Sequence, residues 1–173
     1  VAGVIAMMEV SQSLFTAGSN RRAAWDMFSV GEGDSITLLN VYRGYLDSNR
    51  SSSWCKRYDF NAAALIRARN VCKQLLRRLG AFSVDPNALA LDAGLSMADR
   101  VCRAIASGLF ANLAFVQPDG KTYRLISSDM LATIHPQSVL AGRSPRWVVA
   151  ADVVKTNRIL LRNVTVVQPE WLA

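Results

Sequence analysis

The chain has 173 residues, 51% of them apolar, and carries 20 basic against 13 acidic side chains for a formal net charge of +7; this excludes a disordered chain and allows one large or two small cores. The longest apolar run near the start, Val4 to Met8, is far below the ~20 residues that cross a bilayer, and Val1 to Val10 lacks the basic start of a secretory signal. An intracellular protein without a membrane partner is expected.

The chain opens without Met inside an apolar pattern, VAGVIAMMEV, which predicts a piece of something longer. Val1, Ile5 and Met8 share one helical face with Val4 and Met7 beside it, predicting a helix to about Phe15. A short helix follows from Arg21 to Ser29. Asp34 is expected to cap a helix through Leu46 or Asp47, its carboxylate accepting the orphan amides of the first turn. Ser48 to Ser53 reads as a polar loop. Leu65, Ala68, Val71 or Cys72, Leu75, Leu76 and Leu79 recur at helical spacing and predict a helix from about Asn61 that stops at Gly80. Asp85-Pro86 starts a short helix to Ala93, and Ser96 with Asp99 forms a capping pair for another that ends near Gly108.

β-branched runs then take over. Phe110 to Val116, Thr122 to Ile126 and Met130 to His135 are short segments between turn residues. Trp147 to Val154 and Ile159 to Val167, joined by Lys155-Thr156-Asn157-Arg158, have the pattern of a hairpin. Five short strands in about 60 residues suit a small closed barrel of the oligonucleotide-binding (OB) type. The expected class is α+β, with a helical bundle over residues 1–108 and a five-stranded OB-fold over 109–173.

Several spaced segments carry a likeness: GDSITLLNVY, WCKRYDFNAAALIRARNVCKQL, SGLFANLA, IHPQSVL, PRWVV and RNVTVVQPEWL. Together, and in this order, they resemble the C-terminal region of the DEAH-box RNA helicases across essentially the whole chain. The resemblance implies a helical, ratchet-like bundle followed by an OB-fold, closing over single-stranded RNA beside two ATP-hydrolysing motor domains. It further implies that ATP and magnesium belong to those upstream motors, that a regulatory protein can dock on the OB-fold, and that the setting is intracellular, the nucleus ahead of the cytoplasm or an organelle. Ser35 stands where the family usually has a histidine. Asp59 to Ala62 weaken an aromatic element, which should loosen packing there, and Ala150-Ala151 replace a Tyr and a polar residue.

The residues themselves point to binding rather than catalysis. Gly120-Lys121-Thr122 imitates the end of a phosphate-binding loop, but position 115 is Phe where that loop needs glycine, so a hairpin turn is expected. His135 is the only histidine and is read as a structural residue beside Pro136. Cys55, Cys72 and Cys102 are too far apart for paired zinc ligands and odd in number for a disulfide framework. From Lys56 to Arg78 seven basic residues (Lys56, Arg57, Arg67, Arg69, Lys73, Arg77, Arg78) face the single acid Asp59. Clustered cations supply the sequence-independent part of nucleic-acid binding. The candidate RNA-binding residues are accordingly Arg67, Arg69 and Lys73 on the helix, and Lys121, Arg124, Arg146, Lys155, Arg158 and Arg162 on the barrel. Tyr123 is the strand aromatic considered for stacking, while Trp147 and Trp171 are expected to pack. The alternative is a protein-interaction scaffold within a ribonucleoprotein that has lost its grip on RNA.

Overall fold

The computed structural model describes residues 1–18, 21–82 and 94–171; the helix expected from Asp85 lies outside them. The residues group into two compact units, Val1–Phe28 with Leu38–Leu95, and Ser29–Thr37 with Ser96–Ala173.

The first unit is helical: α1 (Ala2–Val10), α2 (Arg21–Phe28), the body of α3 (Asp34–Asp47), α4 (Ser52–Arg57) and α5 (Ala62–Ala81). α1 stops short of the expected Phe15 and passes into a 3-10 turn over Ser11–Ser13. The Ser11 and Ser13 hydroxyls donate to the carbonyls of Met8 and Val10 three residues back, a local competition that ends helices. Ser51 caps α4 by accepting from the Trp54 amide, so a helix begins inside the stretch read as a loop. Asn61 caps α5, accepting from Ala63 N at 3.1 Å while its own amide group donates to the Ser13 carbonyl at 3.1 Å. The core joins Met7, Val10 and Leu14 to Leu38, Val41, Tyr45, Leu65 and Ala68. Near Asp59–Ala62 the expected looseness is absent: Phe60 is buried and in ring contact with Phe15, Phe28, Trp54 and Tyr58. A Cβ on Gly44 would lie 2.9 Å from the Trp54 ring, so the cluster requires glycine there.

The second unit is a barrel with α6 (Met97–Gly108), capped by Ser96, whose hydroxyl accepts from Asp99 N at 3.0 Å. Its strands are β1 (Leu113–Val116), β2 (Thr122–Leu125), β3 (Leu131–Ile134), β4 (Trp147–Lys155) and β5 (Ile159–Val166), closed in the order β1-β2-β3-β5-β4. Only β3 and β5 pair in parallel. Phe110, expected in a strand, belongs to a 3-10 turn over Phe110–Asn112. Inside lie Ala114, Tyr123, Leu125, Ala132, Leu140, Val148, Ala150, Leu161 and Val164. Three small alanines on neighbouring strands leave room for one tyrosine. In β5 both Leu161 and Val164 face inward, which breaks the two-residue alternation; Asn163, at φ 50°, sits at the break.

Candidate nucleic-acid interface

Alternation and register decide what the barrel shows to solvent. Since Ala114, Leu125 and Ala132 face inward, Phe115, Arg124 and Leu131 face outward, and Leu131, Arg124, Phe115 and Trp147 form one row across β3, β2, β1 and β4. Phe115 and Trp147 are half-buried with ring centroids 5.5 Å apart, so Trp147 packs on the outer wall rather than in the core. Trp171 is likewise half-buried. Arg124 is ion-paired with Asp129 at 2.8 Å. Tyr123, considered for stacking, is 1% exposed, and its hydroxyl donates to the Pro145 carbonyl at 2.9 Å. Burial pushes its phenol up to about 12. It is a core residue and offers no stacking face.

At one end of the outer surface the β1–β2 turn carries Lys121. Asp119 organises this turn: Oδ1 accepts from the amides of Lys121 and Thr122 at 2.9 and 2.8 Å, and Oδ2 from the Thr122 hydroxyl. The Thr122 hydroxyl bond, with the two amides, holds this carboxyl below its usual range. Gly120-Lys121-Thr122 is therefore a hairpin turn. The Ser144 hydroxyl donates to Gly120 O at 2.6 Å and Val116 N to Arg146 O at 3.0 Å, which brings exposed Arg146 to the same end as exposed Lys121. The β4–β5 turn, closed by Thr156 N to Arg158 O at 2.9 Å, presents exposed Lys155 and Arg158. Lys155 pairs with Ile159, the first residue of β5, and β5 runs parallel to β3 while β2 runs against it. Strand direction therefore sends the β4–β5 turn to the opposite end of the barrel from the β1–β2 turn.

Between them, His135 follows β3 and Arg162 lies on β5. The His135 amide donates to Leu161 O at 2.9 Å, its Nδ1 accepts from Gln137 N at 3.1 Å, and Arg162 Nη2 stands 3.4 Å from Nε2. Burial, then the Arg162 charge, lowers the imidazole from its ordinary value.

Asp34 fixes this region. It starts α3 as expected, yet its carboxylate does not cap that helix: Oδ1 accepts from Val139 N and Oδ2 from Val164 N, both at 2.8 Å. Burial pushes its carboxyl up against the backbone bonds that pull it down. One side chain thus clamps the loop after His135 to the strand that carries Arg162. Gly33, at φ 110°, bridges Thr165, and a Cβ there would collide with the Val164 carbonyl oxygen. Ser35 and Thr165 share a hydrogen bond between buried hydroxyls, so Ser35 has its own partner in this chain.

On α5 the basic residues do not form one face. At 100° per residue, Arg69, Lys73 and Arg77 make a stripe on one flank of the buried set Ala64, Leu65, Ala68 and Cys72, while Arg67 and Arg78 lie on the other. Arg67 Nη2 donates to the Ser13 hydroxyl at 2.8 Å. Leu76 and Leu79, expected in the buried stripe, are 42% and 37% exposed. Among the described residues no helix is long and apolar enough to cross a membrane, and no three His, Cys, Asp or Glu converge as metal ligands.

A closed five-stranded barrel of this strand order is of the OB type. Residues 101–173 match the family model described as the oligonucleotide/oligosaccharide-binding (OB)-fold. Over 99% of its length the chain is 36% identical to "Probable ATP-dependent RNA helicase DHX35" of Pongo abelii, and equally so to the Homo sapiens protein of that name. The chain spans about a quarter of those relatives, 24% in each case. The resemblance to the C-terminal region of the DEAH-box RNA helicases therefore holds across the whole chain.

Proposed function

We propose that this chain is the C-terminal accessory part of a DEAH-box RNA helicase, binding single-stranded RNA and coupling it to the motor domains. The observation that carries the reading is the pairing of cations at the two ends of the barrel, Lys121 with Arg146 and Lys155 with Arg158, with Arg162 on β5 between them. Cations spaced along a groove follow a phosphate backbone without reading bases. On the helical unit, the Arg69, Lys73 and Arg77 stripe is the matching candidate. ATP and magnesium belong to the motor domains in this reading, and the OB-fold remains a docking point for a regulatory protein; the setting is intracellular, the nucleus first.

Fluorescence anisotropy of the full chain against unrelated single-stranded oligoribonucleotides tests this. Similar affinities for different sequences, falling with salt, are expected. No binding at 50 mM salt would overturn the reading in favour of the scaffold, for which the exposed outward side chains Phe110, Ile126 and Leu131 would be the contact surface.

A further inference from the structure

Beside the cation pairs the molecule carries an exposed apolar end of α5, the outward Phe115–Trp147 pair, the buried Asp34 clamp, three buried thiols, and the contact between His135 and Arg162. The last is chemically incomplete. A neutral imidazole has one N–H and one lone pair. Around His135 two donors compete for that one lone pair: the Gln137 amide at Nδ1 (3.1 Å) and the Arg162 guanidinium at Nε2 (3.4 Å). If Nδ1 accepts from Gln137, then Nε2 carries the proton and points it at a cation. If the tautomer is reversed, Nδ1–H meets the Gln137 N–H instead. Either way one donor faces a donor. Both side chains are half-buried, which raises the cost of such a contact.

We propose that His135 and Arg162 together form a phosphodiester-binding subsite on the β3–β5 wall, in which an RNA phosphate oxygen accepts from His135 Nε2–H and from the Arg162 guanidinium at once. This rests on the RNA-binding reading above and adds to it a residue type that titrates. An oxyanion supplies the missing acceptor; a second imidazole proton adds positive charge beside it at the cost of the Gln137 N–H bond to Nδ1. The arrangement is held from three sides. The His135 amide is bonded to Leu161 O on β5 (2.9 Å), and Asp34 on α3 grips Val139 and Val164, which flank the pair in sequence. On β4 the register partner of Arg162 is Asp152, whose carboxylate accepts from Asn163 Nδ2 at 3.1 Å. No ion pair to Arg162 is found among the described residues.

The electrostatics carry a sign. Burial and Arg162 hold the free imidazole below its ordinary value of 6.5, so it is neutral at pH 7. A bound phosphate favours the imidazolium and raises that value, so RNA binding takes up a proton and affinity rises as pH falls from 7.5 toward 5.5.

Because the chain has one histidine, its ring signal in a heteronuclear NMR titration is unambiguous without any substitution. The full chain is titrated alone, with single-stranded oligouridylate, with an uncharged methylphosphonate oligonucleotide of the same length, and with inorganic phosphate. The expected result is an upward shift of the His135 midpoint by about one unit with oligouridylate, none with the methylphosphonate, and loss of the shift in Arg162→Gln. In parallel, the log-log salt slope should steepen by about 0.7 between pH 7.5 and 5.5, one extra phosphate contact, and His135→Gln should keep the same slope at both. RNA that binds while the His135 midpoint stays fixed overturns the subsite and leaves the RNA-binding reading standing. A chain that binds no RNA but shows the midpoint moved by inorganic phosphate overturns RNA as the source of the oxyanion. No response to either ligand overturns the site altogether.

Discussion

Asp34 shows how one side chain can serve a partner that its neighbours in sequence do not predict. Its two amide donors lie 105 and 130 residues away, so the chain order suggests a helix cap and the fold supplies a clamp. Asp34→Ala leaves the partly buried Val139 amide and the buried Val164 amide unpaired and should cost roughly 2–6 kcal/mol, at 1–3 for each stranded donor. Gly33→Ala combines a left-handed backbone with a collision and should destabilise by about 2 kcal/mol or more. Urea midpoints of both variants check these values; a shift within error for Asp34→Ala would show the clamp to be idle. The cysteines give a second residue-scale test. Cys55, Cys72 and Cys102 are all buried and unpaired, and burial pushes Cys102 up to about 12. The thiolate is the reactive form, so a chromogenic disulfide reagent should label none of them in the native chain and all three in denaturant. Rapid native labelling would contradict this packing.

At the scale of the elements, the strands were legible because β-branched runs between turn residues leave few alternatives. Each of these five strands overlaps a predicted run, and the turn between β4 and β5 holds Thr156, Asn157 and Arg158 of the expected four, Lys155 being the last residue of β4. What was missed follows from contacts that sequence does not display. Tyr123 was considered for stacking although it is two residues from Leu125; that spacing puts both on one face, and Leu125 argues for the inside. The basic helix read as a single cluster, yet its angular positions split it into two stripes. Each stripe therefore makes a separate prediction. Replacing Arg69, Lys73 and Arg77 by Gln should lower the salt slope of RNA binding by about 2 if all three meet phosphate. The Arg67 and Arg78 pair should lower it less, since Arg67 is occupied with Ser13. Equal effects from the two sets would mean that only net charge matters. The His135–Arg162 pair was invisible for the same reason as the clamp: the parallel β3–β5 pairing brings together residues 27 apart.

For the molecule as a whole, the proposed activity is binding rather than turnover. The Gly-Lys-Thr segment is a hairpin turn, and the single histidine lies on an outer wall beside an arginine. The purified chain should therefore show no ATP hydrolysis with or without RNA, and RNA-stimulated phosphate release would refute that. The central claim is that cations at the two ends of the barrel hold the RNA backbone. Lys155 and Arg158 are exposed on a turn, so Lys155→Gln with Arg158→Gln should leave the melting temperature unchanged. The most direct measurement is the salt dependence of single-stranded RNA affinity for the wild type and this double variant between 50 and 200 mM salt, conditions under which counterion release dominates. The account predicts weaker binding for every sequence tested and a log-log slope lower by about 1.4; an unchanged slope with unchanged affinity would contradict it.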